Sequence, residues 1–193
     1  MYRRSLILLV VLTLCLAGPG WAKRTEKDYT NTIEIFKNVS GVAPFFDSAY
    51  GYAVFPSIGK GGLGIGAAHG KGQVYRGGKV TGYSSLTDLS IGLQAGGQAY
   101  RQVIFFQDKR SYDEFTSGSF EFDAGAGAVA VTASADASAG TQGAGASASP
   151  GGGSGAASGH QYHKGSLVFT ISTGGLMYEA TIAGQRYSFK PGE

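Results

Sequence analysis

Residues 52–75, YAVFPSIGKGGLGIGAAHGKGQVY, decide the fold of this chain. The letters YAVF predict a strand that Pro56 interrupts, and after it Leu63, Ile65 and Ala67 alternate with glycines. This period of two indicates a strand with one apolar face and one face that carries no side chains. Glycine at those positions leaves room for a neighbouring element or permits tight curvature of the sheet.

The strand pattern continues on the far side of a glycine pair. Gly77-Gly78 separates predicted strands at 73–76 and 79–83, and two glycines suit the positive φ angles of a type I′ hairpin turn. After a further alternating stretch, the strand 100–106 ends apolar on both faces, which predicts a place in the centre of the sheet. Three short strands are predicted to close the chain: 167–172, 176–183 and 185–189.

Helices are predicted at the start and in the middle of the chain. Thr25 followed by Asp28 has the form of a helix N-terminus. Apolar residues then recur at helical spacing: Tyr29, Ile33, Phe36 and Val39. A shorter helical piece starts at Pro44, and Asp108 is expected to cap a helix over Lys109–Thr116.

These patterns together predict an α+β fold that is mainly antiparallel β, barrel-like or sandwich-like, with an N-terminal helix and a short mid-chain helix. Residues 23–193 are predicted to form a single domain, a length at which a chain buries a core without disulfides. Within that domain, residues 140–159 are rich in alanine, glycine and serine and are predicted to be flexible.

Residues 1–22 have the pattern of a secretory signal peptide. Two arginines precede the apolar run 5–16, which is too short for a bilayer core that takes about 20 residues, and small residues precede a cut before Lys23. An uncleaved anchor is the alternative. Cys15 suggests lipoprotein processing, but Leu14 before it is larger than that processing site accepts. We expect a periplasmic or secreted protein with no disulfide, since the chain has one cysteine.

Several patterns suggest chemistry but fail on their context. The run 59–64, GKGGLG, matches a dinucleotide fingerprint, yet strand alternation continues where that fingerprint needs a helix. His160 and His163 have a metal-ligand spacing but no neighbouring carboxylate or cysteine, so exposed loop histidines are the alternative. The formal net charge is +3, partly from the signal segment, and gives no case for nucleic acid. We predict no catalytic residue, metal or cofactor.

Basic residues among the glycines form the predicted binding site. Lys60, Lys71, Arg76 and Lys79 fall in a hairpin-rich segment whose N–H groups and cationic tips can hold phosphate headgroups. Lys27 lies beside the apolar side of the first helix, as in a helix at a headgroup boundary. Solubility is the alternative explanation for these charges.

Two runs of the sequence carry a resemblance to one family. Residues 52–75 resemble the start of the SYLF domain, a family of Ysc-type actin-binding and lipid-binding domains, with a strand ending Phe-Pro, a lysine and alternating glycines. Residues 90–98, SIGLQAGGQ, are similar to its S-x-G-x-Q-x-G-x-Q segment. The resemblance covers residues 29–187. The run 172–178, STGGLMY, departs from the family's S-K-G-L-F-x-G pattern, and the Ala/Gly/Ser segment is longer.

The resemblance implies a lipid-binding function. The family is associated with membrane phosphoinositides and, in its eukaryotic members, with actin filaments, which an exported bacterial protein does not routinely meet. The expected partner is therefore anionic lipid or phospholipid headgroups at an envelope membrane, bound by a non-enzymatic domain. The alternative is a structural envelope protein that acts through protein contact or self-association of exposed sheet edges.

Overall fold

A computed structural model describes residues 25–39, 41–123, 128–131, 161–174, 182 and 184–192. The predictions for the signal peptide at 1–22, for Cys15, for His160 and for the flexible segment at 140–159 lie outside the described residues, as does most of the predicted strand 176–183.

The described elements follow the predicted order. The helices are α1 (Glu26–Lys37), α2 (Ala43–Ser48) and α3 (Lys109–Thr116). The strands are β1 (Gly51–Arg76), β2 (Lys79–Phe106), β3 (Ser119–Glu121), β4 (Val129–Val131), β5 (Ser166–Gly174) and β6 (Arg186–Pro191). None of these helices has the length and apolar character that a bilayer-spanning helix needs.

Helix α1 begins at the predicted cap. The Thr25 backbone N–H donates to Asp28 Oδ2 over 2.8 Å, which satisfies a backbone group that the first turn of a helix leaves unpaired. The helix buries Tyr29 and Phe36 on the predicted side, together with Thr32, whose hydroxyl donates to the Asp28 carbonyl. The apolar side therefore packs on the sheet.

Helix α3 also begins where the sequence predicts. The Asp108 side chain accepts a hydrogen bond of 2.8 Å from the Ser111 backbone N–H, and this bond lowers the pKa of the Asp108 carboxyl. Tyr112 and Phe115 are buried. Gly118 follows the helix with φ of +114°, a conformation that side chains rarely adopt.

The β1–β2 hairpin is the frame of the sheet. Gly77 and Gly78 have φ of +57° and +75°, which confirms the predicted turn, and pairing runs from Arg76 with Lys79 back to Gly51 with Phe106. The prediction that Pro56 interrupts the first strand is wrong, because the strand continues through a β-bulge between Phe55 and Ile58. Among the described residues β1 pairs with β2 alone. Pro56 therefore removes no backbone hydrogen bond on the edge of β1 that faces away from β2.

The six strands form one sheet in the order β3-β6-β2-β5-β4, with β1 on the other edge of β2. All pairings are antiparallel except that of β4 with β5. The predicted α+β class, mainly antiparallel with an N-terminal and a short mid-chain helix, is confirmed. The sheet is not closed within the described residues, since β3 and β4 at its two ends do not pair. The stretch 100–106 is central, as predicted, with β1 and β5 on its two sides.

The sheet curls so that the two ends of β1 pack against each other. A Cβ on Gly72 would lie 2.7–2.8 Å from three ring atoms of Phe55, and one on Gly70 would lie 2.6 Å from Ile58 Cγ1. The glycines therefore make room for the same strand returning on itself. One buried cluster fills this curl and includes Phe55, Val74 and Tyr187; a second lies under α1 and α2 on the opposite side of the sheet.

Candidate functional site

One surface of the curled sheet collects cationic and apolar side chains. Val74 points into the curl, so by strand alternation Lys71 and Gln73 point away from it. Tyr83 is in register with Gln73 on one side and with Lys190 on the other, and directly paired residues share a face about 5 Å apart. We call the residues Lys71, Tyr83, Leu89 and Lys190 the outer face.

The outer face exposes large apolar side chains of a kind that is usually buried. Tyr83 is 51 % exposed and Leu89 is 80 % exposed, while Lys71 and Lys190 are exposed beside them. Val80 at the end of the hairpin is also exposed. Exposed apolar area rimmed by charge is typical of interaction surfaces.

The tip of the hairpin carries two more of the predicted cations. Arg76 and Lys79 face each other in register and are both exposed. The Arg76 guanidinium lies 5.8 Å from the centre of the Tyr112 ring, and the Tyr112 hydroxyl bonds to Thr81 over 2.6 Å. These contacts hold the tip against α3.

A buried polar chain docks α1 beside the outer face. Gln73 Nε2 donates to Glu26 over 2.8 Å, and the Tyr75 hydroxyl donates to Gln73 Oε1 over 2.5 Å. Tyr52 stacks on Tyr75 with ring centres 4.8 Å apart. Burial, with the Glu26 charge as a smaller cause, raises the pKa of Tyr75 above its usual range. Glu26 bonds to Gln73, which lies on the same face of β1 as Lys71, so α1 is on that side of the sheet. The exposed Lys27 follows Glu26 in α1 and is therefore on the same side as Lys71.

The structure separates Lys60 from the other predicted cations. The bulge after Phe55 adds one residue to β1 and so exchanges the two faces on which its side chains alternate. Ile58 therefore points into the curl, and Lys60, two residues later, points the same way. The Lys60 side chain is 17 % exposed, and its Nζ lies 4.0 Å from Asp88 Oδ2. Lys27 and Lys71 thus lie on the outer-face side, Arg76 and Lys79 lie at the tip, and Lys60 lies inside.

A buried hydrogen-bonded cluster fills part of the same interior. Gln102 Nε2 donates to the Tyr187 hydroxyl, which donates to Gln185 Oε1 over 2.6 Å. Gln185 Nε2 in turn donates to the Tyr100 hydroxyl over 3.0 Å. Burial raises the pKa of Tyr100 to about 12. The cluster ties β2 to β6 across the curl.

The raised pKa of Tyr100 predicts a specific alkaline response. Between pH 10 and 12 the unfolded chain releases the Tyr100 proton while the folded chain keeps it, so stability is full below pH 10 and falls as the pH rises. We expect Tyr100→Phe to make the fall in unfolding free energy shallower by about 1.4 kcal/mol per pH unit. Urea unfolding at pH 9, 10, 11 and 12 measures this slope. Parallel slopes in the two proteins would contradict it.

Several acidic side chains outside these surfaces lie beside basic or histidine side chains. Asp113 and Glu114 pair with Lys109 and Arg110 along the exposed side of α3. His163 Nε2 lies 3.5 Å from Asp123. No group of three or more histidine, cysteine or acidic residues within the described residues is arranged to hold a metal ion.

Sequence reasoning missed three members of the outer face: Tyr83, Leu89 and Lys190. The alternation of residues 186–190, RYSFK, already places Lys190 on the polar side of its strand. The pattern does not indicate which strand lies beside it, because the partner of β6 is about 100 residues away in sequence.

Comparison with known proteins supplies one relative. No protein-family model matches the chain. The chain is 30 % identical over 160 residues to Beta cell expansion factor A of Aeromonas veronii. The match covers 82 % of this chain and 52 % of that protein, so the chain spans about half the length of the curated relative it matches.

Proposed function

We propose that this chain is a non-enzymatic domain that binds anionic phospholipid headgroups at a bacterial envelope membrane through its outer face. The observation that carries the proposal is the exposed Tyr83 with Lys190 directly beside it on β6, and with Lys71 diagonally across on β1, in register with Ser85. Leu89 extends the same face with an apolar side chain.

Each part of the outer face matches a part of a membrane surface. A basic residue close to an anionic leaflet contributes about 1 kcal/mol to binding. The Tyr83 ring has an apolar body and a polar hydroxyl, a combination that favours the headgroup layer. Leu89 can lose its water contact by inserting below that layer, which stabilises the bound state further. Lys79 and Arg76 at the tip add to the positive charge.

Two further observations support this proposal. The runs 52–75 and 90–98 resemble a lipid-associated family, the SYLF domain, and the chain is similar to a bacterial protein, Beta cell expansion factor A. We infer that the chain is an exported bacterial SYLF-like domain, located in the periplasm or secreted after cleavage of residues 1–22. Actin is not a partner that such a location offers.

Vesicle binding tests the proposal. We expect the protein to sediment with vesicles of phosphatidylcholine containing phosphatidylglycerol at low salt, and to be released at high salt because exposed charges are screened. Lys71→Gln combined with Lys190→Gln removes about 2 kcal/mol, which is about a 30-fold loss of affinity.

A matched control removes two charges elsewhere. Lys109→Gln with Arg110→Gln, both on the exposed side of α3, is expected to change vesicle affinity by less than about threefold, because α3 lies outside the outer face. Equal sedimentation with neutral and anionic vesicles, absence of sedimentation, or equal losses in the two double variants would overturn the outer-face proposal.

Self-association is the second candidate function, and one observation favours it. Among the described residues β3 and β4, at the two ends of the sheet order, each pair with one strand only, so their other edges present backbone groups that a second strand can pair with. This function predicts oligomers that grow with protein concentration in size-exclusion chromatography and do not respond to lipid. A monomer at all concentrations would exclude it.

A further inference from the structure

A polar pocket of about 200 Å³ lies between α1 and the sheet. Its lining residues are Asp28, Asn31 and Thr32 of α1, Pro56 and Ser57 of β1, Arg101 of β2 and Thr173 of β5. Six of these seven side chains carry a charge, an amide or a hydroxyl. The pocket is smaller than the range of roughly 300–1,000 Å³ that drug-sized ligands occupy, so it suits a small polar molecule.

Two strand irregularities meet at this pocket. The β1 bulge between Phe55 and Ile58 contains Ser57. On the other side of β2, Ala99 pairs with Gly174 and Tyr100 with Ser172, which leaves Thr173 as an extra residue. Bulges redirect side chains and are common beside functional sites. Ser57 and Thr173, which lie in the two bulges on either side of Arg101, both line the pocket.

Arg101 differs from the other arginines of the described residues. Arg110 and Arg186 pair with glutamates, and Arg76 lies over a tyrosine ring. No ion pair or hydrogen bond joins the half-buried Arg101 guanidinium to another described residue. A guanidinium is a planar donor that matches the oxygens of a phosphate or carboxylate, so an oxyanion is the ligand group that fits this wall.

The opposite wall carries one negative charge. The Asp28 carboxylate accepts hydrogen bonds from Thr25 at the start of α1, and Asp28 also lines the pocket. The Asp28 carboxylate would repel a ligand that carries only negative charge. A ligand that also carries an ammonium group would place its negative group at Arg101 and its positive group at Asp28.

We propose that this pocket binds the phosphate of a small amino-alcohol phosphate, with phosphoethanolamine as the simplest member. The phosphate accepts hydrogen bonds from the Arg101 guanidinium and from the Ser57 and Thr173 hydroxyls. These three donor groups match the three oxygens of a phosphate better than the two oxygens of a carboxylate. The ammonium group faces Asp28. The group arrives either as a free molecule or as the headgroup of phosphatidylethanolamine. None of these residues belongs to the outer face, so this proposal and the membrane proposal stand or fall separately.

Calorimetric titration of the full chain with phosphoethanolamine tests the pocket. We expect Arg101→Gln to weaken binding by about tenfold or more, since hydrogen bonds to a charged group are lost. Arg101→Lys keeps the charge but loses the planar donor pair, so its loss is smaller. Arg186→Gln removes an exposed arginine outside the pocket and leaves the affinity unchanged. Inorganic phosphate and ethanolamine, each matching one wall, bind more weakly than phosphoethanolamine.

A vesicle experiment distinguishes the two sources of the ligand. Phosphatidylethanolamine added to phosphatidylcholine vesicles increases sedimentation if the pocket takes a lipid headgroup, and Arg101→Gln abolishes this increase while Lys71→Gln with Lys190→Gln keeps it. Soluble binding without this increase assigns the pocket to a free ligand. No detectable binding of phosphoethanolamine, or the same affinity in Arg101→Gln with circular dichroism unchanged, would overturn the proposal.

Discussion

Replacing Tyr187 with alanine is expected to lower the free energy of unfolding by about 4 kcal/mol. The side chain is buried, and its ring lies 5.3–5.6 Å from the rings of Phe55, Phe115 and Phe122. Its removal leaves a cavity between the two halves of the curl. It also leaves Gln102 and Gln185 without the hydroxyl that each of them bonds. Urea unfolding followed by circular dichroism measures the change.

Two companion variants separate the causes of this loss. Tyr187→Phe keeps the ring contacts and removes the hydroxyl, so we expect a loss of about 1–2 kcal/mol from the unpaired amides. Tyr83→Ala, on the outer face, is expected to change stability by less than about 0.5 kcal/mol because Tyr83 is half exposed and lies outside the core. If Tyr187→Ala were as mild as Tyr83→Ala, the packing described for the curl would be wrong.

Replacing Gly72 with valine is expected to destabilise the fold by about 3 kcal/mol. The first added carbon would lie under 3 Å from three atoms of the Phe55 ring, and the two methyl groups need further space. Gly59→Val is the matched control, since a Cβ there has no neighbour within 4 Å. Valine also favours strand conformation, so the control stays within about 0.5 kcal/mol of the natural protein or is more stable. Thermal unfolding of the two variants shows the difference.

A compensating substitution tests the contact itself. Combining Gly72→Ala with Phe55→Leu shortens the side chain that the new methyl group would strike. We expect the double variant to be about 1 kcal/mol more stable than the sum of the two single changes. Additive effects, or a Gly72→Val variant as stable as Gly59→Val, would show that the two ends of β1 do not pack at this distance.

Much of the local structure was predictable because neighbouring residues determine it. Thr25 with Asp28 and Asp108 with Ser111 form caps within one helical turn. The Gly77-Gly78 turn needs positive φ at two consecutive positions, which glycine adopts freely. The alternation of polar and apolar residues in 79–106 likewise indicates strand without knowledge of its partner.

The candidate site was predictable only in part. Lys71 lies on the outer face, and Arg76 and Lys79 lie at a hairpin tip that the sequence defines. Lys60 was predicted with them, yet it pairs with Asp88 inside the curl, because Lys60 and Lys71 are an odd number of residues apart in the same strand and so lie on opposite faces. Lys190 joins the site from the far end of the chain through pairing with β2.

The helices, their caps, the hairpin turn and the β-rich class therefore follow from local sequence patterns, since each depends on residues a few positions apart. Long-range packing instead sets the continuation of β1 past Pro56 and its return over itself at Gly70 and Gly72. The same packing brings Lys190 beside β2 and places Arg101 between two bulges. These features depend on strand register, which is set by packing between residues far apart in the chain, and that packing leaves no local pattern to read.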